Sequence, residues 1–177
     1  INMLKKKFVL WITGLSASGK TTLAKALKEN LTDKFDKIHH LDGDEIRAKS
    51  KKSLGFTKED RDENIILAID FAKKYQDKGY LVIASFISPY EYHRKWGRDS
   101  LKNFIEIFTD SPIEICELRD PKGLYKKART GEIVCFTGIT DRYDIPKNPD
   151  IHLETHKESV DDCVNKIIKY LSDNNFI

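Results

Sequence analysis

Hydrophobic positions in this chain fall into short solid runs, separated by longer stretches in which they recur every three or four residues. Phe8 to Ile12 is one such run, and Tyr80 to Phe86 is nearly all apolar, as a central strand buried on both faces should be. Lys37 to Leu41, Phe104 to Phe108 and Ile151 to Leu153 read as three further strands. Between them lie helical patterns: Thr21 to Leu31, Glu59 to Lys78, a polar stretch closed by Asp99 to Asn103, Ile113 to Leu118, and Ser159 to Leu171. The long helix draws its apolar face from Ile65, Ile66, Ile69, Phe71 and Ala72, and Gly79 supplies its C-terminal cap. Strand and helix alternating from end to end predict an α/β domain with helices on both faces of a parallel sheet. The expected fold is a three-layer αβα sandwich around a mainly parallel five-stranded sheet, with residues 1–177 forming one domain.

Asp120 to Asp150 breaks the alternation. It is rich in Lys, Arg, Gly, Thr and Pro and shows little apolar periodicity. A long polar segment inside a compact domain is usually functional, and here it reads as a lid.

Charge and composition narrow the field. A formal net charge of +3 and a pI near 8.6 lack the basic stripe of a nucleic-acid binder. Lys5 to Lys7 and Lys49 to Lys52 are short basic runs that read as solvated faces. No apolar run approaches the length of a membrane span and the first residues lack a signal-peptide layout, so the cytoplasm is the expected compartment. The three cysteines, Cys116, Cys135 and Cys163, are widely spaced, which argues against a disulfide framework or a zinc site. Cys116 and Cys163 sit in helical patterns as packed thiols.

The chemistry begins at Gly14-Leu15-Ser16-Ala17-Ser18-Gly19-Lys20-Thr21, which satisfies G-x-x-x-x-G-K-[ST] between a strand and a helix. Such a loop curls so that successive backbone N–H groups face phosphate oxygens, and the helix N-terminus adds its positive dipole end. Lys20 is expected to reach the β- and γ-phosphates of ATP, Thr21 to ligate Mg²⁺, and Thr22 to lie at the same helix start. Asp42-Gly43-Asp44 follows the second strand, at the sheet edge where parallel α/β folds bind ligands. Its carboxylates suit Mg²⁺ binding through water and the orientation of a hydroxyl nucleophile. A turn and helix N-cap is the plainer reading of the same residues. Arg47 lies on the helical face of Asp44, and Arg61 shares a face with Asn64; both arginines suit the grip of an anion, and a solvent-exposed helix face is the plainer reading of the same spacing. Phe86-Ile87-Ser88-Pro89 ends the buried strand at the same edge.

In series, GLSASGKTT, LDGDEIR, LGFTKEDRDEN, FISPY, CELRDPKGLYKKARTGEI and FTGI resemble the adenylylsulfate kinase family, from about Phe8 to the final helix. The P-loop is generic; the other motifs in this order are specific. The resemblance implies phosphorylation of the 3′-hydroxyl of adenylylsulfate by ATP, with Mg²⁺ as cofactor held by Thr21 and Asp42. It implies that Asp44, Arg47, Phe56, Arg61, Asn64, Ile87, Ser88, Lys122 and Phe136 contact adenylylsulfate, with Phe56 and Phe136 sandwiching its adenine. Arg119 and Pro149 would flank the adenine of ATP. Lys20, Asp44 and Ser88 would carry catalysis, Ser88 standing where the family often assigns a phosphoserine. Partners are then small molecules, with no nucleic acid or membrane, and a homodimer is compatible with the family. The chain departs from the pattern at Cys135, where Gly is usual before Phe-Thr-Gly, and at Tyr92-His93 and Trp96-Gly97 in the helix after ISPY. The rival functions are a P-loop kinase for another small acceptor and a nucleotide-binding regulatory module without turnover.

Overall fold

The computed structural model describes residues 6–51 and 53–177, so Lys5 and Lys52 of the two basic runs lie outside the described residues. The chain enters the sheet at β1 (Val9–Thr13), all of which is buried. Successive side chains of a strand point to opposite faces. Phe8, Leu10 and Ile12 therefore pack on Leu23, Leu27 and Leu31 of α1 (Lys20–Leu31), while Val9 and Trp11 enter the opposite layer. A strand covered on both sides must be apolar at every position, which is why this run shows no alternation.

The chain continues through β2 (Ile38–Asp42), α2 (Gly43–Lys49), α3 (Lys58–Asp77), β3 (Leu81–Ser85), α4 (Glu91–Ser100) and β4 (Phe104–Asp110). It ends with α5 (Ile113–Arg119), α6 (Leu124–Arg129), β5 (Ile151–Glu154) and α7 (Val160–Asp173). The five strands lie in the order β2-β3-β1-β4-β5. Every pairing is parallel, so the sheet is wholly rather than mainly parallel. Helices α1 and α7 cover one face, and α2 and α3 the other. Each fully buried Leu in these layers contributes about 2 kcal/mol through removal from water.

Local chemistry sets the helix ends. The side chains of Asp42, Thr57 and Ser159 accept the backbone N–H of Glu45, Asp60 and Asp162 and so cap α2, α3 and α7. Gly79, at φ +85°, follows α3 in the left-handed conformation expected of its terminator. The apolar face of α3 departs from the expected one most at Ile66, while Phe71 is partly buried. Ile65, Ile69 and Ala72 are buried together with Ala68, whereas Ile66 is 49% exposed. The buried positions centre on Ile65, and Ile66, about 100° around the helix from that centre, falls outside the stripe. Cys116 and Cys163 are buried thiols and Cys135 is exposed.

The 120–150 segment is more structured than its composition suggests. It contains α6, and Tyr125, Ala128 and Phe136 form a small apolar cluster with Cys116, onto which Leu15, Ala17, Ile113 and Ile139 pack. No helix among the described residues is long and apolar enough to cross a membrane.

Candidate active site

The carboxyl ends of β1, β2, β3 and β4 lie along one edge of the sheet, and the candidate residues gather there. The loop after β1 turns into α1 through Ala17 (φ +63°) and Gly19 (φ +97°), both left-handed. Side chains from distant segments brace it. Ser18 Oγ pairs with Thr109 Oγ1 at 2.8 Å, and Thr109 Oγ1 donates to Thr13 O at 3.1 Å. Tyr125 donates to Ser16 O at 2.8 Å, Arg119 to Ala17 O at 3.2 Å, and Thr155 to Ser18 O at 2.6 Å. These bonds consume the carbonyls of Ser16, Ala17 and Ser18, and within the loop the Ser18 N–H is bonded to Leu15 O at 3.1 Å. Gly14 is there for space: a Cβ on it would come within 2.3 Å of Thr109 Oγ1 and 2.7 Å of Thr109 O.

Lys20 folds back over this loop, donating from Nζ to the carbonyls of Gly14 (3.0 Å) and Leu15 (2.7 Å). Burial pulls its ammonium down to about 7, because the enclosing backbone replaces water poorly as a solvent for charge. Thr21 and Thr22 are exposed in the first turn of α1. Asp42 realises the plainer of its two readings, since its Oδ1 accepts the Glu45 N–H at 3.0 Å and caps α2. Among the described residues no cluster of three or more His, Cys, Asp or Glu side chains could hold a metal. Mg²⁺ at a nucleotide needs no such cage. It keeps several waters and takes phosphate oxygens, with only one or two protein ligands, and the Thr21 hydroxyl and an Asp42 carboxylate are donors of the right hard-oxygen kind.

Asp44 stands exposed at the start of α2, hydrogen-bonded by Arg47 and 3.9 Å from Lys122 Nζ. The Arg47 guanidinium outweighs a small burial effect and, with the Lys122 charge, holds the carboxyl below the usual carboxylate range. Asp44 is thus an ionised acceptor and a weak base at neutral pH. Lys122 sits in the turn before α6, so this contact joins α2 to the 120–150 segment.

Ser88 is buried and left-handed, at φ +42°. For a side-chain-bearing residue this conformation costs about 1–2 kcal/mol and persists only where the surroundings impose it. Trp11 Nε1 donates to Ser88 Oγ at 3.1 Å, and Ser88 Oγ donates to Phe86 O at 3.2 Å. The hydroxyl has neither His nor Lys in its hydrogen-bond set. The Ile87 carbonyl accepts from Thr13 Oγ1 at 2.6 Å.

Arg61 projects from α3 toward the 120–150 segment, where it is bonded to the Asp141 carboxylate and the Cys135 carbonyl, and to Tyr90 Oη at 3.3 Å. Asn64 Oδ1, one turn on, is buried without a hydrogen-bond partner among the described residues. Phe56 is 39% exposed and Phe136 is buried. Their ring centroids are 6.1 Å apart at 58°, so a base between them requires the rings to part and turn parallel. Cys135 has φ +60°; the backbone keeps the conformation natural to the glycine expected there, with a side chain added.

The fold therefore brings Lys20, Ser88 and Ile87 to one sheet edge with Asp42 and Asp44, and ties Arg61 and Lys122 to the segment above. Sequence reasoning passed over Trp11, Thr13, Tyr90, Thr109, Asp141, Tyr143 and Thr155. The available signal was weak: a polar residue at the carboxyl end of an apolar strand, as at Thr13 and Thr109.

A protein-family model described as adenylylsulphate kinase matches residues 6–154. A relative from Halothermothrix orenii named adenylyl-sulfate kinase is 46% identical over 173 residues, covering 98% of this chain and 94% of its own. A protein of the same name from Clostridium acetobutylicum is 49% identical over 171 residues, covering 96% and 86%. Among solved structures, the Mycobacterium tuberculosis APS kinase CysC in complex with AMPPNP and APS superposes with a TM-score of 0.87. It is 41% identical to this chain and covers 94% of it and 98% of its own length.

Proposed function

The chain belongs to the adenylylsulphate kinase family, and from that premise we infer that it transfers the γ-phosphoryl group of ATP to the 3′-hydroxyl of adenylylsulfate, giving ADP and 3′-phosphoadenylylsulfate. The observation that carries this reading is the family match across 6–154, over a chain whose P-loop and DGDxxR carboxylate lie on one sheet edge.

Transfer is direct. The P-loop N–H groups, Gly14 to Thr21, hold the donor phosphates, and Lys20 leaves its own loop carbonyls for the β- and γ-oxygens. Thr21 and Asp42 would hold Mg²⁺, which would supply positive charge against the negative charge that develops in transfer. Asp44 accepts the hydrogen bond of the ribose 3′-hydroxyl and aims it at the γ-phosphorus. A carboxylate held below its usual range orients better than it deprotonates, which suits a loose transition state in which positioning and electrostatics dominate. Arg47, Arg61 and Lys122 surround the phosphosulfate. Asn64 meets a donor on the acceptor with its unpaired Oδ1, which otherwise carries a desolvation penalty of about 1–3 kcal/mol. Phe56 and Phe136 clasp the acceptor adenine, and Ser88 hydrogen-bonds the acceptor without becoming phosphorylated. Residues 120–150 close as a lid within a single domain. The cytoplasm, where ATP is available, is the proposed compartment, and a homodimer the proposed assembly.

A coupled ADP-release assay with adenylylsulfate, run against a panel of other small alcohols, tests the reading. Turnover confined to adenylylsulfate is expected. Faster turnover of another acceptor identifies a different small-molecule kinase, and nucleotide binding without turnover identifies a regulatory module.

A further inference from the structure

Arg94 takes no part in the chemistry above, yet it is 3% exposed at the meeting point of three segments. Its Nε is 3.1 Å from Glu106 Oε1 on β4. Its Nη1 donates at 2.8 Å to the carbonyl of Ser88, and its Nη2 donates to the carbonyl of Asp144, where the 120–150 segment returns to the sheet. The guanidinium also lies over the Tyr143 ring, 5.7 Å from its centroid.

The two carbonyls belong to chain segments already stitched together. The Asp144 N–H donates to Pro89 O at 2.7 Å, and Asp144 Oδ2 accepts the Glu91 N–H at 3.0 Å. Tyr143 Oη pairs at 2.8 Å with Thr13 Oγ1, which itself donates to Ile87 O. Residues 143–144 thus form a fixed trailing anchor for the segment. By contrast, Lys122 at the leading end meets an exposed carboxylate at 3.9 Å, and Tyr125 beyond it bonds the P-loop carbonyl of Ser16 rather than the Ser88 turn. Ser88 needs such restraint because its left-handed backbone is not one it adopts unforced.

We propose that Arg94 is a positioning residue for the transfer reaction: one planar guanidinium, held in place by Glu106, sets the Ser88 turn and the trailing anchor of the lid at a fixed separation. The arrangement requires arginine. Its rigid fork serves three acceptors in different directions at once, whereas a lysine ammonium on a flexible stem is a point charge. Burial raises the Glu106 pKa and the Arg94 charge opposes that shift. Through Ser88 and Ile87 the fork governs the acceptor side, and it touches nothing in the P-loop.

The proposal rests on the kinase reading, so one of its readouts must not. Arg94→Lys keeps a cation beside Glu106. A double substitution, Arg94→Met with Glu106→Leu, removes both charges together, and paired replacement of this kind is tolerated where a single truncation is not. In whichever variant folds, the KM for adenylylsulfate is expected to rise at least fivefold and kcat to fall, with the KM for ATP within twofold of wild type. Hydrogen exchange at the Asp144 and Glu91 amides is expected to accelerate at least tenfold, a readout independent of activity. A folded variant with wild-type KM for adenylylsulfate, or with both KM values raised in parallel, overturns the proposal. So does unchanged exchange at the two amides. If the wild-type protein does not turn over adenylylsulfate, the kinase reading fails, and the exchange result alone still decides whether Arg94 holds the clasp.

Discussion

Lys20 donates both hydrogen bonds to carbonyls of its own loop, and burial brings its pKa to about 7. Binding of ATP replaces those neutral carbonyls with phosphate charge, which favours the ammonium and returns the pKa toward 10.5 or above. The sign follows directly. Below pH 7 free Lys20 is already charged and nucleotide binding moves no proton, whereas above pH 7 it is neutral and must take one up. At pH 8 only about a tenth of the free protein carries the proton, so uptake should approach 0.9 per nucleotide bound, falling to about 0.1 at pH 6. Affinity must then weaken as pH rises, by about ninefold between pH 8 and 9, or ~1.3 kcal/mol. Working at pH 8 and above keeps the terminal phosphate of the nucleotide itself ionised. Calorimetry of ATP binding without acceptor, in buffers of different ionisation enthalpy, measures the uptake. Lys20→Met should abolish both the buffer dependence and the pH slope. A binding heat independent of buffer at pH 8, or uptake that survives in Lys20→Met, refutes the argument.

The other expectations are more local. Ser88→Ala should retain measurable turnover, and chiral γ-phosphate should transfer with a single inversion, because the Ser88 hydroxyl is bonded to Trp11 and Phe86 and has no base. Retention of configuration with a phosphoserine discharged by adenylylsulfate would show otherwise. Arg61→Ala should weaken adenylylsulfate strongly while leaving ATP affinity in the free enzyme nearly intact, and equal calorimetric losses for both ligands would contradict its placement on the acceptor side. Gly14→Ala should lower stability by about 1–3 kcal/mol or displace the P-loop, since the added methyl meets Thr109 backbone as well as side chain. A thermal midpoint and an ATP affinity both equal to wild type would be incompatible with that packing.

How far these features could be read beforehand depended on whether each lay within a contiguous stretch. The P-loop was legible because its glycines, lysine and threonine act through backbone they themselves shape. The strands were legible because burial on both faces leaves an unbroken apolar run. The supports were not. Thr109 reaches Ser18 and Thr155 reaches Ser18 O across 91 and 137 residues, and a lone threonine carries no mark of such a partner. Ile66 joins the buried face on apolarity alone, but it lies about 100° around the helix from Ile65, the centre of the buried stripe. The 120–150 segment looked featureless because its apolar residues are few, and their partners, Leu15 and Ala17, belong to another motif. The departures around α4 have local reasons: Tyr92 Oη and His93 Nε2 both bond Asp62 Oδ1, at 2.6 and 2.7 Å, and a Cβ on Gly97 would lie 2.5 Å from Phe104 Cε2.

Leu15 and Ala17 fill the unspecified positions of the P-loop pattern, where any residue satisfies the motif. In this protein they pack beneath the 120–150 segment, Leu15 Cδ2 lies 3.2 Å from where a Cβ on Gly138 would be, and Tyr125 reaches over to Ser16. Drift at these two positions is therefore constrained by a segment more than a hundred residues away. A lineage that altered the 120–150 segment would have to change the P-loop with it, so the two should evolve as one surface. A P-loop grafted from another kinase, with every motif residue intact, would arrive with the wrong upper face.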